Sequence, residues 1–343
     1  MKKQSNKKSH KIFNQKINVR VNILTEHFAA AEVVKRQSPH QTKQGVLWKN
    51  ILFVFNQAIL PDDILVVWHI MPYQKTIWRS IAKKFGLPIW LKTIHHPYRQ
   101  KIHIQTEPLE LPFVRSVYHK KFLSQFSILL AQRQKPKWLK HGVWQLTHGG
   151  LEWWYGVMAS THQKGKRIIK KHWQDLLLSP NKTKTLSVIT SRQNRNQQQK
   201  LRIALIDKLE KDPALQPMTD IFGHNRHYIS DKAMGLEQYK YHIALENAVI
   251  ADYWSEKLAD ALLAESYVFY AGAPNIYDYF DKRSIKIIDL TDPEKALSLI
   301  KKTIKAKAYE KNLSAIKENK RRVMFEENFF NLIWRIICKY DMT

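Results

Sequence analysis

The chain has 343 residues, 44% hydrophobic and 11% aromatic, enough for one large or two ordinary cores and too apolar for a disordered polymer. Its 57 Lys and Arg against 29 Asp and Glu give a formal net charge of +28, which concentrates polyanions such as nucleic acid, anionic membrane or phosphorylated substrates. One cysteine, Cys338, excludes an internal disulfide framework and a Cys-rich zinc site, and no apolar run approaches the roughly 18 to 20 residues of a spanning helix.

Residues 1–16 are basic with no apolar segment behind them, and are expected to form a cationic tail rather than a secretion signal. The expected location is cytoplasmic, free or peripheral on the inner face of the membrane, where the sequons at Asn181 and Asn312 have no meaning. Ile17–Leu24 reads as the first strand, with Ile17, Val19, Val21 and Ile23 alternating. Ile64–Ile70 is an uninterrupted apolar run between Pro61-Asp62-Asp63 and Pro72, the pattern of a strand buried on both faces. A helical stretch begins at Lys75, and strands follow at Lys101–Gln105 and Phe126–Gln132. Strands alternating with helices predict a parallel, doubly wound sheet.

The basic segment Thr161–Trp173 is expected as a linker, after which the pattern restarts. A strand at Leu186–Thr190, a helix at Lys200–Lys211, a strand at Tyr241–Glu246 and a helix at Ser255–Glu265 lead to strands at Ser266–Gly272 and Ile285–Leu290. The expected fold is α/β with two Rossmann-like domains: a tail at 1–16, a first domain at 17–172, a second at 173–300 and C-terminal helices at 301–343. In those helices Phe325, Phe329, Leu332, Ile333 and Ile336 share one face, suited to packing on the domains or lying on a membrane surface.

No Gly-x-Gly-x-x-Gly, Walker loop or Asp-x-Asp occurs, so a dinucleotide fingerprint, P-loop transfer and metal-held nucleotide diphosphate all lack their sequence marks. His95-His96 and His103 have no carboxylate or Cys at ligand spacing and read as surface or loop histidines. The basic runs at 2–16 and 164–171 lack an interleaved aromatic pattern and read as solvated charge or as attraction to anionic lipid. Glu246 and Asn247 end a predicted strand, where open α/β sheets bind ligands. Glu256 and Lys257 fall in the first turn of the next helix, whose free N–H groups already favour an anion. Lys257 adds a point charge for a diphosphate, and Glu256 beside it is better explained by sugar hydroxyls.

The segment YKYHIALENAVIADYWSEKLADALLAESYVFYAGAPNIYDYF resembles the donor-binding region of glycosyltransferase family 10, the α-1,3/1,4-fucosyltransferases. The resemblance rests on Glu246-Asn247 and on Asp252-Tyr253-Trp254-Ser255-Glu256-Lys257 at the family's spacing; it departs at Leu245, where the family has Phe, and at Ala248, where it has a small hydroxyl residue. Ser187–Leu209 is similar to the strand, polar loop and helix that open the family's C-terminal domain, which implies that Arg202, or its rival Lys200, contacts the donor diphosphate. IHIQTEPLELP is similar to the family's N-terminal strand, which implies Glu107 as the general base, with Glu110 as fallback. Gly149–Gly156 resembles the segment leading out of that domain, its Trp153 and Trp154 being core or an acceptor platform.

The resemblance implies a GT-B fold, two Rossmann-like domains facing across a cleft. It implies an inverting transfer of fucose from GDP-fucose to a hydroxyl of a cell-surface glycan such as lipopolysaccharide, with Asn247 and Tyr253 shaping the donor pocket beside Glu246. No cofactor or metal is expected; the partners are a nucleotide-sugar donor, an oligosaccharide or lipid-linked acceptor and an anionic membrane surface. The alternatives are another nucleotide sugar on the same fold, or a non-catalytic polyanion- or RNA-binding protein.

Overall fold

Ile64–Trp68 is buried along its whole length, which only a strand covered on both faces can be, and its neighbours form a largely parallel sheet around it. The computed structural model describes residues 19–25, 27–68, 100–104, 123, 125–131, 140, 142–160, 167–194, 196–223, 226–340 and 342. They fall into two compact units, 1–145 with 330–343 and 146–329.

In the first unit the strands are β1 (Val19–Leu24), β2 (Val46–Trp48), β3 (Ile51–Phe55), β4 (Ile64–Trp68), β5 (Gln100–Ile104), β6 (Ile128–Ala131) and β7 (Val143–Leu146). They lie in the order β2-β3-β1-β4-β5-β6-β7, with β1, β3, β4, β5 and β6 parallel and β2 antiparallel to β3. Helix α1 (Phe28–Lys35) makes the crossover after β1, and its start is capped by the His27 ring, which accepts from the Ala30 amide. His103 is buried in β5 against the Phe126 ring. Lys75, His95, His96, Glu107 and Glu110 lie outside the described residues.

The second unit holds β8 (Val157–Ala159), β9 (Arg167–Ile169), β10 (Lys184–Ile189), β11 (Thr219–Phe222), β12 (Tyr239–Leu245), β13 (Tyr267–Ala271) and β14 (Ile285–Ile287). Its helices are α2 (Trp173–Leu177), α3 (Gln197–Leu209), α4 (Glu256–Leu263), α5 (Pro293–Lys305), α6 (Ala308–Lys311) and α7 (Leu313–Phe325); α8 (Phe329–Lys339) ends the chain. The main sheet is wholly parallel in the order β11-β10-β12-β13-β14. Leu205, Ile206 and Leu209 of α3 and Leu297 and Ile300 of α5 pack on Leu186, Val188, Tyr241, Ile243 and Phe269 of the strands. The stretch 161–173, read from composition as a linker, contains β9, which pairs antiparallel with β8 inside this unit.

The helix face expected at 325–336 is divided. Phe325 is the last residue of α7, 40% exposed with its ring edge-on to Trp173, whereas Phe329, Leu332, Ile333 and Ile336 of α8 are buried. The phase breaks because the Glu326 and Glu327 amides both return to the Arg322 carbonyl and the Asn328 side chain donates to the Met324 carbonyl. Phe330, absent from the expected face, is fully buried in the first unit, 4.9 Å from the Phe53 ring and 6.4 Å from Trp48, whose indole donates to Asn331.

A polar seam runs under the second sheet. Lys182 donates to the Leu236 carbonyl and the Ser266 hydroxyl, and nearby Glu265 accepts from Lys320 and Ser179. Burial pushes the Lys182 ammonium down to about 7, with Glu265 and Glu237 opposing the shift.

Two predictions follow from the packing. Phe330→Ala should cost about 3–5 kcal/mol in urea unfolding, whereas Phe325→Ala, half in water, should cost roughly 1 kcal/mol or less; equal losses would contradict the placement of α8. For Lys182 the folded pKa lies below the unfolded value of 10.5, so between those values the unfolded chain holds the extra proton. Its contribution is complete above pH 10.5 and is lost as the pH falls towards about 7. Unfolding midpoints measured at intervals from pH 7 to 10 should rise less steeply for Lys182→Met than for the wild type, and parallel curves would refute this.

Candidate functional site

In the second sheet the strand order reverses between β10 and β12, and such a switch point opens a crevice at the carboxyl ends of the two strands. A cavity of about 290 Å³ lies there. Thr190 and Ser191 line it from the end of β10, Asn247 from the end of β12, Arg202 from α3, and Glu256 and Lys257 from the start of α4. Gly223 closes it after β11; a Cβ there would lie 1.7 Å from the Thr190 carbonyl oxygen, and its φ of +138° is open essentially to glycine alone.

Arg202 is on the buried face of α3 because Arg202, Leu205, Ile206 and Leu209 recur at helical spacing. Its guanidinium donates to the Asn247 side chain at 2.7 Å and to the Thr190 hydroxyl at 2.9 Å, both neutral. No carboxylate among the described residues lies within ion-pair distance, Nε is buried without a partner, and the residue is only 5% exposed. Burial pulls its pKa below the ordinary guanidinium value, with Glu246 at longer range opposing this. A buried guanidinium held only by neutral acceptors is costly, so this cavity favours an anion. Lys200, the rival for the same role, is exposed on α3 and is not among the lining residues.

Glu246 turns away from the cavity. It is fully buried and accepts from the Ser255 amide at 2.8 Å and the Ser255 hydroxyl at 2.6 Å, with the Lys257 ammonium 3.6 Å away. Burial raises its pKa, and Lys257 offsets part of the rise. Ser255 is the N-cap of α4, so this carboxylate fixes where Glu256 and Lys257 begin. Gly272 permits the approach, since a Cβ there would meet the Tyr270 hydroxyl at 2.2 Å and Glu246 Cγ at 2.5 Å. Tyr253 is likewise buried and does not line the cavity.

Asp252 carries the loop before α4 with φ of +63°, a conformation its short polar side chain tolerates. Its carboxylate accepts from Asn275 at 2.9 Å and from the Tyr279 hydroxyl at 2.7 Å, which ties the loop to the segment after β13. Trp254 stacks on His148 at 4.0 Å, its carbonyl accepts from Gly149, and its ring passes Gly150 where a Cβ would lie 2.0 Å away. Trp153 is fully buried, and Trp154 is half-buried beneath the Arg167 guanidinium.

Sequence reasoning did not single out Lys232, Asp260 or His242. The Asp260 carboxylate accepts from the Trp154 and Tyr155 amides and from Lys232, whose ammonium also lies 3.5 Å from Glu256. Burial opposes charge on Lys232, but Asp260 and Glu256 outweigh it and hold the pKa above the ordinary lysine value. Burial likewise opposes charge on Glu256, and Lys257 and Lys232 outweigh it, keeping the carboxylate ionised. Asp260 was legible as the residue one turn after Glu256 on the same helix face, and His242 as two alternations before Glu246 on β12. Lys232 lies in a short 3-10 turn with no periodic signal.

Residues 179–326 match the family model described as glycosyltransferase family 10 (fucosyltransferase), C-terminal. No curated protein matches the chain. Among solved structures, a trehalose-6-phosphate synthase is similar with a TM-score of 0.50 at 10% identity, over 94% of this chain and 98% of that one. An alpha1,3-fucosyltransferase with GDP-fucose has a TM-score of 0.45 at 13% identity, over 90% and 91%. Anabaena Alr3699/HepE in complex with UDP has 0.49 at 9% identity, over 95% and 100%. The synthase likeness shows the fold, which is of the GT-B type, built on two units with parallel sheets. The chain is a glycosyltransferase whose residues 179–326, all within the second unit, match the family 10 model.

Proposed function

We propose that the protein is an inverting fucosyltransferase that takes fucose from GDP-fucose. The observation that carries this reading is Arg202, a buried guanidinium with neutral partners lining a switch-point cavity within the family 10 domain. The donor diphosphate supplies the missing negative charge. Arg202 and Lys257 gain most as the bond from the anomeric carbon to the diphosphate oxygen breaks, because the leaving group then takes up the electron pair and its charge grows.

Glu256 accepts from hydroxyls of the donor, while Asn247 keeps the Arg202 fork in place. Glu107, known only through the family resemblance, removes the proton from the acceptor hydroxyl as that oxygen attacks the anomeric carbon from the opposite side. The scheme uses side-chain cations for the diphosphate and requires no metal. The acceptor is a bacterial surface glycan, lipid-linked on the cytoplasmic face, and the excess of 28 positive charges holds the enzyme near it.

A thermal-shift screen against GDP, GDP-fucose, GDP-mannose, UDP-sugars and CMP-sialic acid tests the donor, since a ligand bound only by the native state raises the melting temperature. GDP and GDP-fucose should stabilise selectively and equally with EDTA present. Lys257→Ala should weaken GDP-fucose binding roughly 10–100-fold, the loss of one charged hydrogen bond. Glu107→Gln should keep donor binding while losing turnover by a factor on the order of 10² or more. A shift from RNA with none from any nucleotide sugar would overturn the reading. The protein should also sediment with anionic vesicles at low ionic strength and leave them in about 1 M salt; retention at high salt would exclude the electrostatic attachment.

A further inference from the structure

His242 lines the same cavity from β12, is 3% exposed, and has no role in the scheme above. Its ring chemistry is fixed by a neighbour. Ser187 is fully buried, and its hydroxyl oxygen lies 2.6 Å from the Gly235 carbonyl oxygen and 2.8 Å from His242 Nδ1. A serine hydroxyl has one hydrogen, and a carbonyl can only accept, so that hydrogen goes to Gly235. Ser187 then offers a lone pair to His242, and Nδ1 must carry the proton. Burial, reinforced by the ammonium groups of Lys182 and Lys232, keeps the ring neutral by pushing its pKa down to about 3. Neutral imidazole with its proton on Nδ1 has a bare lone pair on Nε2.

Nε2 has no partner among the described residues and is not sealed from the cavity. A lone pair repels phosphate oxygens, so its partner must bring a hydrogen. His242 also precedes Glu246 by four residues on a strand, about 13 Å along the chain, which separates it from the Arg202–Asn247 pair beyond the strand end.

We propose that His242 is a specificity residue that accepts a hydrogen bond, through Nε2, from an O–H or N–H of the nucleotide-sugar donor remote from its diphosphate. The inference rests on the reading of the cavity as a donor site. The hydrogen comes from the nucleoside or from the transferred sugar, and the choice of ligand separates the two.

Two substitutions divide the ring's functions. Asn at 242 places an amide N–H where Nδ1–H was, so Ser187 keeps its partner and the cavity loses its acceptor. Gln at 242 reaches further, and its carbonyl restores an acceptor near the Nε2 position. Calorimetric titration of the full-length protein should show His242→Asn binding GDP-fucose about tenfold more weakly than wild type, the usual effect of one hydrogen bond, and His242→Gln recovering most of the loss. Equal weakening towards GDP and GDP-fucose assigns the hydrogen to the nucleoside; weakening towards GDP-fucose alone assigns it to the sugar. Wild-type affinity in His242→Asn, or equal loss in Asn and Gln variants that melt like wild type, would overturn the role of Nε2. A wild-type protein that binds neither ligand would instead overturn the donor-site reading, and this inference with it.

Discussion

The site depends on a carboxylate that does not face it. Glu246 spends both oxygens on Ser255, the residue that caps α4, and it does so with no exposure to water. Removing a buried acceptor leaves an N–H and an O–H unpaired at a cost of about 1–3 kcal/mol each, so the end of β12 and the start of α4 are held as one piece. Glu256 and Lys257 inherit their positions from that clamp. The same clamp requires Gly272, because Glu246 and the Tyr270 hydroxyl occupy the space a Cβ would need.

Around the clamp, charge is almost everywhere compensated, and the exception marks the ligand. Lys232 is shared by Asp260 and Glu256, and Lys257 sits near Glu246 and Glu256. Arg202 has only an amide and a hydroxyl. A folded protein tolerates a buried cation of this kind where something else supplies the anion, the part given to the donor diphosphate in the proposed function. His242 adds the complementary property, a lone pair in a cavity whose other conspicuous groups are cations and carboxylates. Together they give the cavity two kinds of chemistry, a guanidinium held by neutral acceptors and an imidazole lone pair.

Much of the fold was legible in the sequence because burial leaves a simple record. A strand covered on both faces is mostly apolar, as Ile64–Trp68 and Tyr267–Ala271 are from end to end and Tyr239–Leu245 is apart from Lys240 and His242, and those runs identified the parallel sheets. Short edge strands leave no such record: β11 is half-exposed, and β9 lies in a stretch, 161–173, basic enough to read as a linker. The division of the C-terminal apolar face between α7 and α8 was hidden for a different reason. Apolar spacing continues across Glu326–Asn328, and only the backbone and side-chain hydrogen bonds made there interrupt the helix.

The sequence by itself determined the parallel α/β architecture, the strand-end Glu-Asn and helix-start Glu-Lys pairs, and the cationic character of the chain, since all of these are written in local order and composition. Tertiary structure alone decided which way each side chain faces. Glu246, expected at the ligand, turns inward to Ser255 while its neighbour Asn247 turns to Arg202, and Arg202 is buried where Lys200, two residues before it on the helix, is exposed. The lone pair on His242 is more distant still from the sequence. It follows from one serine hydrogen being claimed by a carbonyl 48 residues away, and no local pattern encodes which acceptor a hydroxyl will meet when the chain folds.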